Sequence, residues 1–363
     1  MRVALRADAS EDIGTGHIMR CLALADELRA GGAQCLFVCR ELPGHLVGRI
    51  TQQGFAVNVL PLAGSYRTPR GPSDYRGWAQ VSAAQDADEF VAAVQSADVV
   101  VIDHYGFGLA WERRVRAALP APLLAIDDLC REHSVEYLLD QNFGRSGADY
   151  AASLVHRPDG ETLTGPRYAL LRREFREQRA RLARPAEPPA VHNLLVTLGG
   201  VDKPNITAAV VAALQAADLD WVAEVTVLLP RSAPHYARVE ALLAGKPGYR
   251  LLGAASQMAE LMATATLCVG AVGGTAWERA ALGLPTVLVP VADNQQAAAR
   301  ELAAADIGLL LDPHDIADQL ESRLIAARDR WSALVSASLQ LCDARGAVRV
   351  ARRLLSAAPL NSL

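Results

Sequence analysis

Near the start of the chain a glycine turn, Asp12-Ile13-Gly14-Thr15-Gly16-His17, carries a histidine into a segment with helical apolar spacing. The unpaired N–H groups and positive dipole end of a helix start are suited to phosphate or another anion. The same field favours a neutral imidazole, the form a general base requires. A histidine in this place serves either as that base or as a loop residue satisfied by a local hydrogen bond. The glycines also begin a dinucleotide fingerprint, but Met19 occupies the position of its third glycine, where close helix packing admits no side chain. Gly14 and Gly16 are therefore read as a general phosphate or substrate loop, without an NAD or FAD cofactor.

A second group closes the run Val99-Val100-Val101-Ile102-Asp103-His104-Tyr105-Gly106. Its apolar part reads as a buried parallel strand, and it ends abruptly in titratable side chains. In open α/β sheets the carboxyl ends of strands face the ligand crevice. Asp103 is placed to orient His17 or a substrate hydroxyl, or to cap the next turn. Tyr105 is placed to bind or polarise the reacting group, while His104 and the pair Asp127-Asp128 read as loop, turn or cap residues.

The third group lies in the second half. Gly270-Ala271-Val272-Gly273-Gly274-Thr275-Ala276-Trp277-Glu278 opens a strand-to-helix turn with small residues, leaving backbone N–H groups for a diphosphate. Glu278, about one turn into the helix, suits vicinal ribose hydroxyls as a two-oxygen acceptor, or simply complements the helix dipole. Gly199-Gly200, ahead of Val201-Asp202, form a weaker phosphate loop of the same kind. Asn294-Gln295, after Asp293, place amides at another helix start, where they can read sugar hydroxyls or carbonyls. Asp86-Ala87-Asp88 has the spacing of a metal-binding DxD, but it opens an amphipathic helix where acids are expected, so it is read as capping and no metal site is assigned.

These residues need a scaffold that gathers strand ends, and the chain supplies one. Short β-rich apolar runs alternate with helical patterns along its length, the sign of parallel sheets built from βαβ units. In the first half the strands are expected at 2–6, 34–39, 56–60, 99–103, 123–127 and 137–140. Three prolines in 181–190 mark a linker, and the alternation restarts at 193–198. The expected architecture is α/β, two Rossmann-like lobes facing a central cleft. The N-terminal lobe covers 1–180, and the C-terminal lobe covers 191–363 with a helical extension at its end. The long segment 62–80, rich in glycine and proline, reads as a functional loop or a surface insertion.

Composition narrows the chemistry. Of 36 basic residues only Lys203 and Lys246 are lysines, and neither follows a Walker glycine loop, which sets aside classical ATPase and Schiff-base readings. A net charge of −4 offers no positive field for nucleic acid. The six cysteines form neither a disulfide framework nor a CxxC zinc pattern. Cys35 and Cys39 stand about 13 Å apart along one extended strand, too far to bridge. The N-terminus lacks the apolar core of a signal peptide and no run approaches a membrane span, so a cytoplasmic protein is expected.

The two lobes, the histidine loop, Gly273-Gly274-Thr275 with Glu278, and Asn294-Gln295 resemble the GT-B architecture of nucleotide-sugar enzymes. More specific are Arg6-Ala7-Asp8-Ala9-Ser10, the stretch from Gly14 through Ala25, Cys39-Arg40-Glu41-Leu42-Pro43-Gly44, Ile102-Asp103-His104-Tyr105-Gly106 and Gly199-Gly200-Val201-Asp202. From residue 1 to about residue 312 they closely resemble the UDP-2,4-diacetamido-2,4,6-trideoxy-β-L-altropyranose hydrolase family of bacterial pseudaminic acid biosynthesis. The resemblance implies that His17 is the catalytic base, that Tyr105 lines the reaction centre and that the second lobe holds UDP. It implies a UDP-linked diacetamido trideoxy sugar as substrate, whose product feeds a nonulosonic acid on flagellin or surface polysaccharide. The expected reaction is metal-independent, inverting hydrolysis at the anomeric C1–O bond. The alternative is a GT-B transferase in which His17 deprotonates an acceptor hydroxyl. The segment past Pro313 lies outside the resemblance, and 62–80 is a place where sugar preference can vary.

Overall fold

The computed structural model describes residues 1–71, 73–155, 159–255, 257–292 and 295–357. The chain forms two compact units, one of Met1–Arg172 joined by the segment from Arg345 onward, the other of Arg173–Ala344.

In the first unit the strands are β1 (Arg2–Ala7), β2 (Gln34–Arg40), β3 (Ala56–Leu60), β4 (Val99–Asp103), β5 (Leu123–Ile126), β6 (Tyr137–Asp140) and β7 (Glu161–Thr164). They form one parallel sheet of seven strands in the order β3-β2-β1-β4-β5-β6-β7. The helices are α1 (Gly16–Ala30), α2 (Val47–Gln52), α3 (Tyr75–Ala79), α4 (Ala83–Val94) and α5 (Leu109–Ala118). Covered on both faces, β4 is apolar up to its terminal Asp103, as parallel strands can be, and β1 is apolar from Val3 to Leu5 before the buried Arg6. Leu5, Val99 and Val101 pack towards α1 with Ile18, Leu22 and Leu28. Ala4, Val100 and Ile102 pack on the other face with Phe90 of α4 and Trp111 of α5. The strand order reverses between β1 and β4, the place where a doubly wound sheet opens a crevice beyond its strand ends. Strand β7, Glu-Thr-Leu-Thr, is a half-exposed edge strand whose four residues carry too little apolar signal to be expected from sequence.

The second unit contains β8 (His192–Thr197), β9 (Val222–Leu228), β10 (Tyr249–Leu252), β11 (Leu267–Ala271), β12 (Thr286–Val289) and β13 (Leu309–Leu310). They form a parallel sheet of six strands, β10-β9-β8-β11-β12-β13, with the reversal between β8 and β11. Its helices are α6 (Arg173–Arg181), α7 (Ile206–Ala216), α8 (Tyr236–Leu243), α9 (Met258–Thr264), α10 (Gly274–Ala281), α11 (Gln296–Ala304), α12 (Ile316–Asp329) and α13 (Trp331–Leu341). Part of the segment past Pro313 thereby finds a place: Leu320, Leu324, Trp331 and Leu334 complete the core over β8, β11 and β12.

Two expected boundaries differ from the structure. The proline-rich 181–190 is no free linker, because it lies within the second unit. Arg184 donates to the carbonyls of Met262, Ala265 and Leu282, and Trp331 Nε1 donates to the carbonyl of Pro185 at 3.3 Å. Arg179 of α6 likewise donates to the carbonyls of Ala281, Leu339 and Cys342. The terminal helix α14 (Gly346–Ala357) belongs to the first unit, not to the C-terminal lobe. Its stripe of Ala347, Val350, Ala351 and Leu354 enters the core built by α1, and Arg353 pairs with Glu161 of β7.

Candidate active site

In the first unit, Ala7 at the end of β1 is in register with Asp103 at the end of β4. The loop after β1 turns at Gly14, whose φ of 78° needs a residue without a side-chain clash. It then delivers Gly16 and His17 to the first turn of α1, which has no side-chain cap. His17 Nδ1 lies 2.5 Å from Asp103 Oδ1. Three residues on, along the same helix face, Arg20 grips the same carboxylate: Nε donates to Oδ2 and Nη2 to Oδ1, both at 2.6 Å.

Asp103 is fully buried, and burial alone would favour its neutral form. The Arg20 guanidinium and the His17 contact outweigh burial and hold its carboxyl well below the usual carboxylate range. An ionised Asp103 accepts only, so the proton in its contact with His17 sits on Nδ1. In the neutral ring that tautomer leaves the Nε2 lone pair as the acceptor. The neighbouring Cys21 thiol is pushed up by burial and by Asp103, and is no nucleophile.

Tyr105 packs edge-on against the His17 ring at 4.8 Å between centroids. Burial and the adjacent Asp128 carboxylate push its hydroxyl well above the ordinary range, so it remains an O–H donor at neutral pH. The long segment 62–80 contributes α3, whose Asp74 side chain accepts the Gly77 N–H. Its Tyr75 and Trp78 complete an aromatic wall with Tyr105, with ring separations of 4.9 to 5.9 Å. Gly106 permits this closeness, because a Cβ there would stand 2.5 Å from the Tyr75 carbonyl oxygen. Trp78 is nearly buried, and among the described residues its indole N–H has no partner.

Other sequence candidates are structural. His104 is buried, pushed down to about 4, and accepts the Gly106 N–H at 2.9 Å. Asp127 pairs with Arg131 at 2.5 Å and faces His133 Nε2 at 3.3 Å, an ion-pair distance without hydrogen-bond alignment. Asp86 is not a cap, since Ser82 caps α4. It is fully buried and its oxygens accept from Arg6, Arg40 and Trp111, which leaves no lone pair directed at a metal. Asp88 points outward to Arg114.

In the second unit, Thr197 on β8 and Gly270 on β11 are register partners at the strand-order reversal. Gly199 (φ 102°) and Gly200 follow β8 and are exposed. The next helix start is closed, however: the Asp202 carboxylate accepts the N–H groups of Ile206 and Thr207 at 2.9 and 2.8 Å. The start of α10 is open. Gly273 and Gly274 are exposed, and among the described residues no side chain caps the helix and a Cβ at either glycine would touch nothing. Thr275 lies in its first turn and Glu278, half-buried, about one turn in. Gln295 sits at the start of α11 with its carbonyl oxygen turned back to the Val291 N–H at 3.0 Å, which leaves its amide N–H₂ to donate. Asp293 and Asn294 lie outside the described residues.

The structure thus brings His17, Asp103 and Tyr105 together in one unit, and sets Gly199, Gly200, Gly273, Gly274, Thr275 and Glu278 around the reversal point of the other. Sequence reasoning missed Arg20, Tyr75 and Trp78. Arg20 was findable from its i+3 spacing to His17. Two aromatics at i and i+3 inside a glycine-rich segment were the signal for α3.

Residues 194–340 match the model of the glycosyltransferase family 28 C-terminal domain. An uncharacterised protein of Methanocaldococcus jannaschii is 23% identical over 80% of this chain and 55% of its own length. The UDP-2,4-diacetamido-2,4,6-trideoxy-β-L-altropyranose hydrolase of Campylobacter jejuni is 24% identical over 57% of this chain and 63% of its own. The chain thus spans less than two thirds of these two relatives. The spore coat polysaccharide biosynthesis protein SpsG of Bacillus subtilis is 26% identical over 96% of both chains. Among solved structures, MurG of Acinetobacter baumannii superposes with a TM-score of 0.65 at 16% identity, covering 98% of this chain and 99% of its own. The fold is therefore that of the GT-B glycosyltransferases, two parallel-sheet Rossmann-like domains. Among the described residues, no helix is long and apolar enough to cross a membrane.

Proposed function

We propose that the chain hydrolyses a UDP-linked diacetamido trideoxy sugar at its anomeric C1–O bond. The observation that carries this reading is the chain Arg20–Asp103–His17, in which a buried, ionised carboxylate meets Nδ1 of the imidazole, so that the neutral ring turns Nε2 to the reaction as a proton acceptor. That is the arrangement a general base needs. Water loses a proton to His17 Nε2 as its oxygen bonds to C1. The C1–O bond breaks, its electron pair leaves with UDP, and C1 inverts. The open N–H groups at Gly273–Thr275 hold the diphosphate as charge grows on it, and Glu278 accepts from the ribose hydroxyls. Each named residue has a role that needs no resident cofactor or metal. The sugar is the one for which the relative of Campylobacter jejuni is named.

The family 28 match and the likeness to MurG favour a second reading, transfer of the sugar to an acceptor hydroxyl deprotonated by His17. Purified protein with the UDP-sugar in ¹⁸O-water separates the two. Hydrolysis gives full turnover without an acceptor, label on the anomeric hydroxyl at first release, and none on UDP. Label in UDP, or sugar 1-phosphate with UMP, would mean attack at phosphorus and a wrong role for His17. No turnover until an acceptor is added would make the protein a transferase. UDP-sugar binding without release of UDP under any condition would make it a sensor.

A further inference from the structure

Beneath the open start of α10 lies a guanidinium to which, among the described residues, no acid is hydrogen-bonded. Arg279 is 1% exposed, yet its hydrogen-bond partners among the described residues are neutral: Nη2 donates to the Ala271 carbonyl at 2.6 Å and Nη1 to the Thr275 hydroxyl at 3.1 Å. Its Nε has no partner among the described residues. Space for the group exists because residue 270 is glycine; a Cβ there would stand 2.6 Å from the guanidinium carbon. Burial pulls the Arg279 pKa down, while Cys268 and Glu278 act on it from a distance. Cys268 is pushed up by burial to about 11 and remains a neutral thiol, which leaves half-buried Glu278 as the nearby acid.

A buried cation costs free energy unless an anion or a full set of hydrogen bonds offsets it. Here the cation is fastened from below to the two residues that flank Gly273 and Gly274, at a helix start that no side chain caps. We infer that Arg279 is a positioning residue whose buried charge, acting through the Ala271–Thr275 turn, makes this site select a diphosphate over an uncharged nucleoside. The inference rests on the nucleotide reading above and adds what sets the strength of anion capture. Arg279 touches no ligand itself: it tethers the Thr275 hydroxyl and the Ala271 carbonyl, and its field adds to that of the open N–H groups in a poorly screened place.

Calorimetric titration of the whole chain with UDP and with uridine tests it. Arg279→Gln and Arg279→Met are expected to weaken UDP binding about tenfold, a change of 1.4 kcal/mol. Uridine affinity should stay at the wild-type value, which also reports that the variants are folded. Arg279→Lys, which keeps the charge, should bind UDP within about threefold of wild type. Unchanged UDP affinity in a neutral variant that binds uridine normally overturns the inference. So does parallel loss of both ligands, the sign of a purely structural arginine. Should neither neutral variant fold, Arg279→Lys decides: a retained preference for UDP over uridine supports the role of charge, and a lost one removes it. Failure of the wild type itself to bind UDP defeats the nucleotide reading, and this inference with it.

Discussion

Among the side chains of α1 that reach Asp103, His17 and Arg20 have different duties. Arg20 keeps the carboxylate ionised in a dry place, and the ionised carboxylate keeps the His17 proton on Nδ1. Replacing His17 by alanine should cut turnover about 10²–10⁴-fold, the usual worth of a positioned base. UDP affinity should hardly move, since the residues proposed to hold UDP, Gly273–Thr275 and Glu278, belong to the other unit. A folded His17→Ala variant with near-normal rate would remove the assignment. Asp103→Asn is the more discriminating change. An amide keeps the shape but can present N–H to the ring, which favours the tautomer with Nε2 protonated. We expect kcat to fall by a similar factor with KM little changed, and thermal stability to fall as well, because Arg20 loses its counter-charge. A variant that is destabilised yet retains kcat would limit Asp103 to holding the fold together. The equivalent test on the nucleotide side is Glu278→Ala. Loss of a hydrogen bond to a charged acceptor, about 1.5–3 kcal/mol, should weaken UDP binding on the order of 10–150-fold. Unchanged affinity by calorimetry would place the ribose elsewhere.

At the scale of elements, the site depends on what braces the strand ends. Behind β5, His133 lies between Glu112 of α5, 2.5 Å from Nδ1, and Asp127. Burial opposes its charge, but the two carboxylates win and push the imidazole up to about 9. Because its folded pKa exceeds the unfolded value near 6.5, this clamp stabilises fully below about pH 6.5 and fades as pH rises through about 9. Stability of the first unit should therefore decline between those limits, by on the order of 1–3 kcal/mol. Denaturation of His133→Gln across that range should show a flatter profile, and an unchanged slope would mean the imidazolium is not involved. The strands that hold these groups were legible because β1, β4 and β5 are apolar runs ending in acids. Residues 62–80 were legible only as a long loop. Helix α3 has five residues, so its helical spacing is a single pair, Tyr75 and Trp78, and its packing on Gly106 is set by tertiary contact. Asp86 was misread for a related reason: an acid near a helix start resembles a capping residue unless the partner arginines, 46 and 80 positions away, are known.

The whole molecule adds a constraint that local reading could not supply. The chain leaves the first unit after Arg172 and returns to it at Arg345, so the second unit is an insertion within the first. Helix α14 reads from sequence as an amphipathic helix among arginines, and nothing in its periodicity says which apolar face it meets. The complement lies more than 300 residues earlier, where α1 offers Cys21, Leu24, Ala25 and Leu28 to the same core as Val350, Ala351 and Leu354. The helix that carries His17 is thus held from behind by α14. Leu354 is fully buried, so Leu354→Ala should cost about 2–5 kcal/mol. For a unit of this size that is roughly 4–20 °C in Tm. Hydrogen exchange followed by mass spectrometry should show faster opening of β1 and β4, with β8 and β11 protected as before, because α14 contributes nothing to the second core. Catalysis should decline at temperatures where UDP binding persists. If Leu354→Ala instead left β1 and β4 protected, or loosened both sheets equally, α14 would not be the brace of the first unit, and the placing of His17 would have to rest on α1 and the sheet alone.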